Sequence, residues 1–277
     1  MNFNALNKAL ALSKKGSNFN SKLILFSVGV LNQASRWKKI NSCLHFLVSS
    51  YASNEKIKVK LKNGTALFIR NKSTADYQTL FECFGDMYDT KQEGIEYVLD
   101  GGANIGCFAA NVCLQNKQIK EIICVEPNPE NVKILIENTK GLPIKIIDAA
   151  MSSVSGTAKF NFKNFNTGHL EGSAGRGEGD DQTIVDTVRL QDILPATWNL
   201  NNTLLKLDIE GQEYNVFADM FEAKIFPKYV IAELHDYLHA GGEKLVQAFK
   251  NNSYDVLVEG HGDTGNVCRQ ILATRIV

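Results

Sequence analysis

Between Ile95 and Leu234 the chain alternates short apolar runs with amphipathic stretches, and the series opens on a run that ends in an acid and a glycine-rich turn, V98-L-D-G-G-A-N-I-G106. This alternation constrains the fold more than any other feature. Parallel strands need crossover connections, usually helices, and those helices cover the faces of the sheet. The pattern predicts strands at Ile95–Asp100, Glu121–Val125, Ile144–Asp148, Leu204–Asp208 and Val230–Leu234. It predicts helices at Asn104–Gln115, at Asn128–Thr139 with Asn128 as cap, and around Tyr214–Phe221. Near the end, Tyr254–Glu259 and Arg269–Arg275 flank the turn-rich H261-G-D-T-G-N266 and read as an antiparallel hairpin at the edge of the sheet. The expected fold is therefore a doubly wound, Rossmann-like α/β sheet carrying a C-terminal antiparallel hairpin.

Ahead of this core the rhythm differs. Residues 1 to about 52 read as helical, and Trp37, Leu44, Phe46 and Leu47 form a stripe whose commonest fate is packing. I57-K-V-K-L-K-N-G-T-A-L-F-I-R70 alternates apolar and charged residues about Asn63-Gly64, a hairpin signal because Asn-Gly suits positive φ. Thr74–Tyr88 is helical in pattern. The division that follows is 1–90, helical segment and β-hairpin lead-in, and 91–277, core domain. Leu23–Leu31 is far shorter than the roughly 20 apolar residues of a spanning helix and reads as a buried or interface helix. A membrane-surface contact through these helices lacks a basic face to support it. The glycine-rich G168-H-L-E-G-S-A-G-R-G-E-G-D-D181 reads either as a lid or as a disordered insertion, and the stretch between Asp148 and Leu204 is otherwise irregular.

Lys+Arg and Asp+Glu cancel at 30 each, so no global basic field argues for nucleic acid. The six cysteines form no CxxC or Cys/His cluster, and several sit in apolar runs. Reduced, buried thiols and a cytoplasmic location are the expectation.

In a doubly wound sheet, ligands bind beyond the carboxyl ends of the strands, where the strand order reverses. As a dinucleotide fingerprint, G101-G-A-N-I-G106 has Ala103 where the second glycine should let the backbone approach a pyrophosphate. As D-x-G-x-x-x-G, with Asp100, Gly102 and Gly106 around Asn104, the pattern fits throughout. An acid at the strand end also suits a cationic ligand, and S-adenosylmethionine carries an ammonium and a sulfonium with no phosphate. Asp100 is expected to order the loop and receive that ammonium, directly or through water. Glu126, followed by Pro127, ends the second strand about 20 residues after Gly106, where an acid grips the ribose hydroxyls of an adenosine. Asp148, ending the third strand, is placed to accept from the adenine amino group, with Ala149 leaving room for the ring. An NAD-dependent oxidoreductase and a non-catalytic binding protein are the alternatives.

L204-L-K-L-D-I-E-G-Q-E213 is the densest polar site, and A232-E-L-H-D236 brings Glu233 and His235 to one face of the next strand. Glu213 reads as a helix N-terminal acid. Methyl transfer to a hydroxyl needs an in-line oxygen and a proton acceptor. The expected catalytic set is His235 as general base, Asp208 near the methyl group and Lys206 shaping the acceptor pocket. The rival role for Asp208, Glu210, Glu233 and His235 is a divalent metal site, since oxygen ligands with one imidazole suit magnesium or manganese.

Together these blocks resemble the FkbM family of S-adenosylmethionine-dependent methyltransferases over about Lys58 to His235. V98-L-D-G-G-A-N-I-G106 is similar to the family's cofactor loop, V125-E-P-N-P-E-N131 to its ribose segment and A149-A-M-S152 to its adenine-side segment. K206-L-D-I-E-G-Q-E213 and A232-E-L-H235 resemble its most distinctive later motifs, and K60-L-K-N-G-T-A-L67 with D76-Y-Q-T-L-F81 its lead-in. Gly101 departs from the aliphatic residue common there. The resemblance implies a class I methyltransferase fold and O-methylation of a hydroxyl on a sugar, glycolipid or polyketide-like acceptor; the N-terminal helices lie outside it and are one place for acceptor specificity.

Overall fold

A computed structural model describes residues 3–33, 48, 50, 52–53, 55–71, 73–85, 88, 92–163, 167–170, 181–235, 241–261 and 268–276. Trp37, Leu44, Phe46 and Leu47, most of the glycine-rich loop and residues 262–266 lie outside them. The chain divides into two compact units. One comprises 1–91, 105–115 and 133–142; the other comprises 92–104, 116–132 and 143–277. Residues 105–115 and 133–142 thus cluster with the lead-in.

In the first unit, helices α1 (Phe3–Ser13) and α2 (Phe19–Gln33) form an antiparallel pair. They cross at Gly29, where a Cβ would lie 2.8 Å from the Ala9 Cα. Leu12, Ile24, Leu25 and Val28 are buried, so the Leu23–Leu31 run is largely core. Among the described residues no helix is long and apolar enough to cross a membrane. The short β1 (Ala52–Ser53) pairs with β2 (Lys56–Lys60), which pairs with β3 (Ala66–Arg70). The hairpin is present, but its turn differs from the expected Asn-Gly pair. Leu61 N donates to Thr65 O, and Gly64 alone takes positive φ, at 91°. This makes a three-residue loop closed by one left-handed glycine.

Helix α3 (Thr74–Phe84) starts at Ser73, whose Oγ accepts from Asp76 N at 3.1 Å. Asp76 is fully buried and receives Arg70 N at 2.7 Å and the Arg70 guanidinium Nη2 at 2.7 Å. Asn138, at the end of α5 (Pro129–Asn138), clamps the same unit. It accepts from Phe68 N at 2.6 Å and donates to Phe68 O at 3.0 Å and Ile105 O at 2.7 Å. Asn111 of α4 (Cys107–Gln115) donates to Cys83 O at 2.6 Å.

The second unit is built on a seven-stranded sheet. Its strands are β4 (Tyr97–Gly101), β5 (Glu121–Val125), β6 (Ile144–Ile147), β11 (Thr203–Leu207), β12 (Tyr229–Leu234), β13 (Tyr254–His261) and β14 (Cys268–Arg275). They lie in the order β13-β14-β12-β11-β4-β5-β6. The five from β6 to β12 are parallel, while β14 runs antiparallel to β12 and β13 antiparallel to β14. The order steps outward from β4 through β6, then returns to place β11 beside β4, with Lys206 opposite Asp100 and Leu207 opposite Gly101. This is the expected doubly wound order with its terminal hairpin, and the reversal falls between β4 and β11.

Near-continuous apolar runs make these strands because both of their faces are covered; all five residues of β11 are buried. The short α6 (Leu190–Ile193), α7 (Glu213–Glu222) and α8 (Gly242–Asn251) contribute Leu190, Val216, Phe217, Met220, Leu245 and Phe249 to one core with Leu205, Leu207, Val230 and Ile271. Phe249 sits edge-on to Phe217, Phe221 and Tyr254, with ring centroids 5.0, 5.0 and 5.3 Å away. Such pairs add about 0.5–1.5 kcal/mol each beyond their area.

The stretch expected to be irregular is a second sheet. It has β7 (Ala150–Met151), β8 (Gly156–Lys163), β9 (Thr167–Leu170) and β10 (Asp181–Val188) in the order β7-β10-β8-β9. T157-A-K-F-N-F-K163 does alternate, whereas Q182-T-I-V-D-T-V188 does not. Their buried set is small (Ala150, Phe160, Leu170), which leaves little apolar signal to read.

Candidate active site at the reversal of strand order

The loop after β4 turns through Gly102 (φ 75°) and Asn104 (φ 50°). A Cβ on Gly102 would lie 1.9 Å from the Asp208 carbonyl oxygen, so only glycine fits there. Its neighbour Gly101 is different in kind. A side chain there would meet Leu207 Cδ2 at 2.7 Å and Met151 Sδ at 3.0 Å, so those two side chains fill the space an aliphatic residue would take. Gly106 (φ 82°) belongs to the first unit, where a Cβ would approach Leu135 and Thr139 of the α5 region.

The loop amides are all engaged. Gly102 N and Ala103 N both donate to Val125 O at 3.0 Å, and Asn104 N donates to Glu126 Oε2 at 2.8 Å. The other oxygen of Glu126 accepts from Asn128 N at 3.0 Å and Asn131 Nδ2 at 3.2 Å. Burial pushes the Glu126 carboxyl above its ordinary range, against these hydrogen bonds and the charge of Lys206. Asn128 also caps α5, taking Glu130 N at 3.0 Å with Pro129 as the first helical residue.

Asp100 lies where it cannot meet a ligand's ammonium directly: it is fully buried, with Lys206 Nζ 3.2 Å from its Oδ1. Desolvation raises its carboxyl, partly offset by Lys206. Lys206 is also buried, and donates to Gly102 O at 2.8 Å and Gly101 O at 3.4 Å; Asp208 Oδ2 is 3.9 Å from it. Its ammonium therefore straps the β4 loop and does not line an acceptor pocket. Lys206 on β11 and Asp100 on β4 both point inward and form an internal tie, while Asp208 and Glu210 stay at the strand end.

An open cleft lies at the strand ends. Gly102, Asn104, Glu126, Pro127 and Asn131 line one side, and Asp208, Ile209 and Glu210 line another. Ala150, Met151, Phe160 and Leu170 supply an apolar wall from the second sheet. Asp148 is exposed at the end of β6, and neither it nor the buried Ala149 is among these residues. Burial and then the charge of Asp186 raise the Asp148 carboxyl.

The wall at Asp208–Glu210 is held from behind. Glu213 is fully buried; it accepts from Ile209 N at 3.0 Å, from Gly211 N at 3.0 Å and from His235 Nδ1 at 3.0 Å. The other ring nitrogen of His235 lies 3.3 Å from Glu210 Oε2. Burial alone lowers the histidine pKa, but Glu213, Glu210 and Asp208 outweigh it and hold the imidazole at about 9. At neutral pH it already carries both protons, which argues against its service as general base. Glu233 is half-buried on β12 opposite Gln270. Among the described residues no three His, Cys, Asp or Glu side chains converge to hold a metal ion.

Sequence reading missed Glu213 as a site residue, and the Phe160–Leu170 wall altogether. Glu213 sits where a helix N-terminal acid is ordinary, and only its burial reveals more.

The methyltransferase FkbM domain model matches residues 100–256. Among solved structures, methyltransferase FkbM from Methylobacillus flagellatus KT is similar at TM-score 0.46 and 13% identity, covering 97% of this chain; the chain spans 59% of that protein's length. M. jannaschii TYW2 in complex with AdoMet is similar at TM-score 0.44 and 15% identity, covering 82% of this chain and 89% of its own. No curated protein matches the sequence.

Proposed function

The chain belongs to the methyltransferase FkbM domain family, and on that premise we propose that it transfers a methyl group from S-adenosylmethionine to a hydroxyl of a sugar, glycolipid or polyketide-like acceptor. One observation carries the choice of cofactor. The amides of Gly102, Ala103 and Asn104 are already bonded to Val125 O and Glu126. A dinucleotide loop presents such amides to a pyrophosphate. This loop instead offers acids and a close backbone, which suit a ligand with two positive charges and no phosphate.

Within this reading Glu126 takes the ribose hydroxyls, and the three groups that fix its carboxylate pre-orient it. Pro127, Ala150, Met151 and Phe160 enclose the base, and Asp148, just beyond Ala149, accepts from the adenine amino group. S-adenosylmethionine supplies an electrophilic methyl on sulfur, and the chain's own part is to hold donor and hydroxyl in line and exclude water. The three charged residues lining the cleft, Glu126, Asp208 and Glu210, are all acidic. That favours a neutral, hydroxyl-rich acceptor over a phosphate-rich one such as nucleic acid. The four free thiols among the described residues, three of them buried, support a reducing, cytoplasmic setting.

The test is a screen of neutral sugars, glycolipids and hydroxylated polyketides with S-adenosylmethionine, read by mass for methyl gain on oxygen. Product from a hydroxyl acceptor supports the reading; methylation confined to nitrogen or carbon acceptors, or none in the presence of bound cofactor, overturns it.

A further inference from the structure

One imidazole hydrogen-bonds one carboxylate and lies within ion-pair distance of a second. Glu213, on the first turn of α7, holds His235 Nδ1 at 3.0 Å, and Glu210 Oε2 lies 3.3 Å from Nε2. The chain of groups runs from a fully buried acid, through a buried ring just after β12, to an acid on the wall of the cleft. Its last member is set with care. Glu210 takes φ 59°, a left-handed conformation uncommon outside glycine that persists only where the surroundings over-determine it. They do so here: Glu213 binds the amides of Ile209 and Gly211 on either side of Glu210. The ring, hydrogen-bonded to Glu213 and within ion-pair distance of Glu210, is a spacer between two acids.

The sheet order locates this acid relative to the cofactor. Glu126 follows β5 and Glu210 follows β11, with β4 between them. Two strand spacings, about 10 Å, separate their strands. With the ribose at Glu126 and the adenine toward β6, the 5′ side of the ribose, to which the sulfonium is bonded, faces the Asp208–Glu210 side.

Resting on the cofactor reading above, we infer that Glu210 is the binding residue that meets the positive charge of the methyl donor at the reacting centre, and that His235 and Glu213 are positioning residues that aim it. Asp208, the other acid on this wall, is tied toward Lys206 at 3.9 Å and serves the strap between the two loops.

Sinefungin, with an amine where the donor has its methyl-bearing sulfonium, and S-adenosylhomocysteine, a neutral thioether, separate charge recognition from general binding. Calorimetry on the full chain is expected to give sinefungin about 10-fold tighter binding than S-adenosylhomocysteine. Glu210→Gln is expected to bring that ratio to within about threefold of one while leaving S-adenosylhomocysteine affinity within about threefold of wild type. His235→Asn should lose part of the preference, a change that a purely structural role would spread equally over both ligands. A preference that survives Glu210→Gln, that collapses only in Asp208→Asn, or that is absent from wild type while S-adenosylhomocysteine binds, overturns the inference. Failure of wild type to bind S-adenosylhomocysteine at all instead overturns the cofactor reading, and the inference with it.

Discussion

Two turns meet at the reversal of the sheet, and they are built by opposite means. The loop after β4 is held by main chain: Gly102 and Ala103 donate to Val125 O, Asp208 N donates to Gly101 O at 3.1 Å, and a glycine is required at 102 for want of space. The turn after β11 is held by side chains: Glu213 takes the amides of Ile209 and Gly211 and reaches His235. A main-chain loop depends on what is missing, a Cβ. A side-chain turn depends on buried charges that must be matched. The first should break by steric overlap at one position, and the second by leaving a charge without its partner.

The largest effect is expected at Gly102. Gly102→Ala forces a Cβ into the Asp208 carbonyl and strains a positive φ, and should cost at least about 3 kcal/mol in urea denaturation. A cost below about 1 kcal/mol would show that the loop is not confined by Asp208.

Next is the strap. Lys206→Met leaves Asp100 buried without its cation and should cost about 3–5 kcal/mol; adding Asp100→Asn should restore much of it, since the penalty lies in the orphaned charge. Additive losses would mean that the two residues act independently.

The third effect is a pH dependence of the side-chain turn. The His235 imidazole is raised from 6.5 to about 9, so the protonated form is favoured by folding. Its contribution to stability is complete below pH 6.5 and is lost as pH rises through about 9. Denaturation midpoints should fall across that window in wild type and fall less in His235→Asn. A flat wild-type profile would contradict the doubly held imidazolium.

The smallest effect belongs to Asp148, which lies outside both turns. Asp148→Asn should leave stability within about 0.5 kcal/mol and weaken S-adenosylhomocysteine by about threefold in calorimetry.

The difference between the turns also explains what could be read in advance. Glycine punctuation and apolar runs are local signals, so β5 is legible to the residue at Glu121–Val125 and Asn128 is legible as a cap. The fold class follows from the alternation. Side-chain direction at strand ends is not local. Asp100 and Lys206 stand in a motif dense with charge, yet the pleat turns both inward, and only the register of β4 with β11 shows that they pair. Glu213 and His235 are 22 residues apart and meet through tertiary packing. The second sheet was obscured for another reason: it buries only Ala150, Phe160 and Leu170, and its polar strands resemble loop.

The central claim is that the cleft at this reversal takes a cationic adenosine cofactor and not a pyrophosphate. Its most direct test is calorimetric titration of the wild-type chain with S-adenosylhomocysteine and, in parallel, with NAD. Binding of S-adenosylhomocysteine in the micromolar range with no heat from NAD is the predicted result. Binding of NAD alone would contradict it, and would mean that the engaged amides of Gly102, Ala103 and Asn104 release their partners for a phosphate.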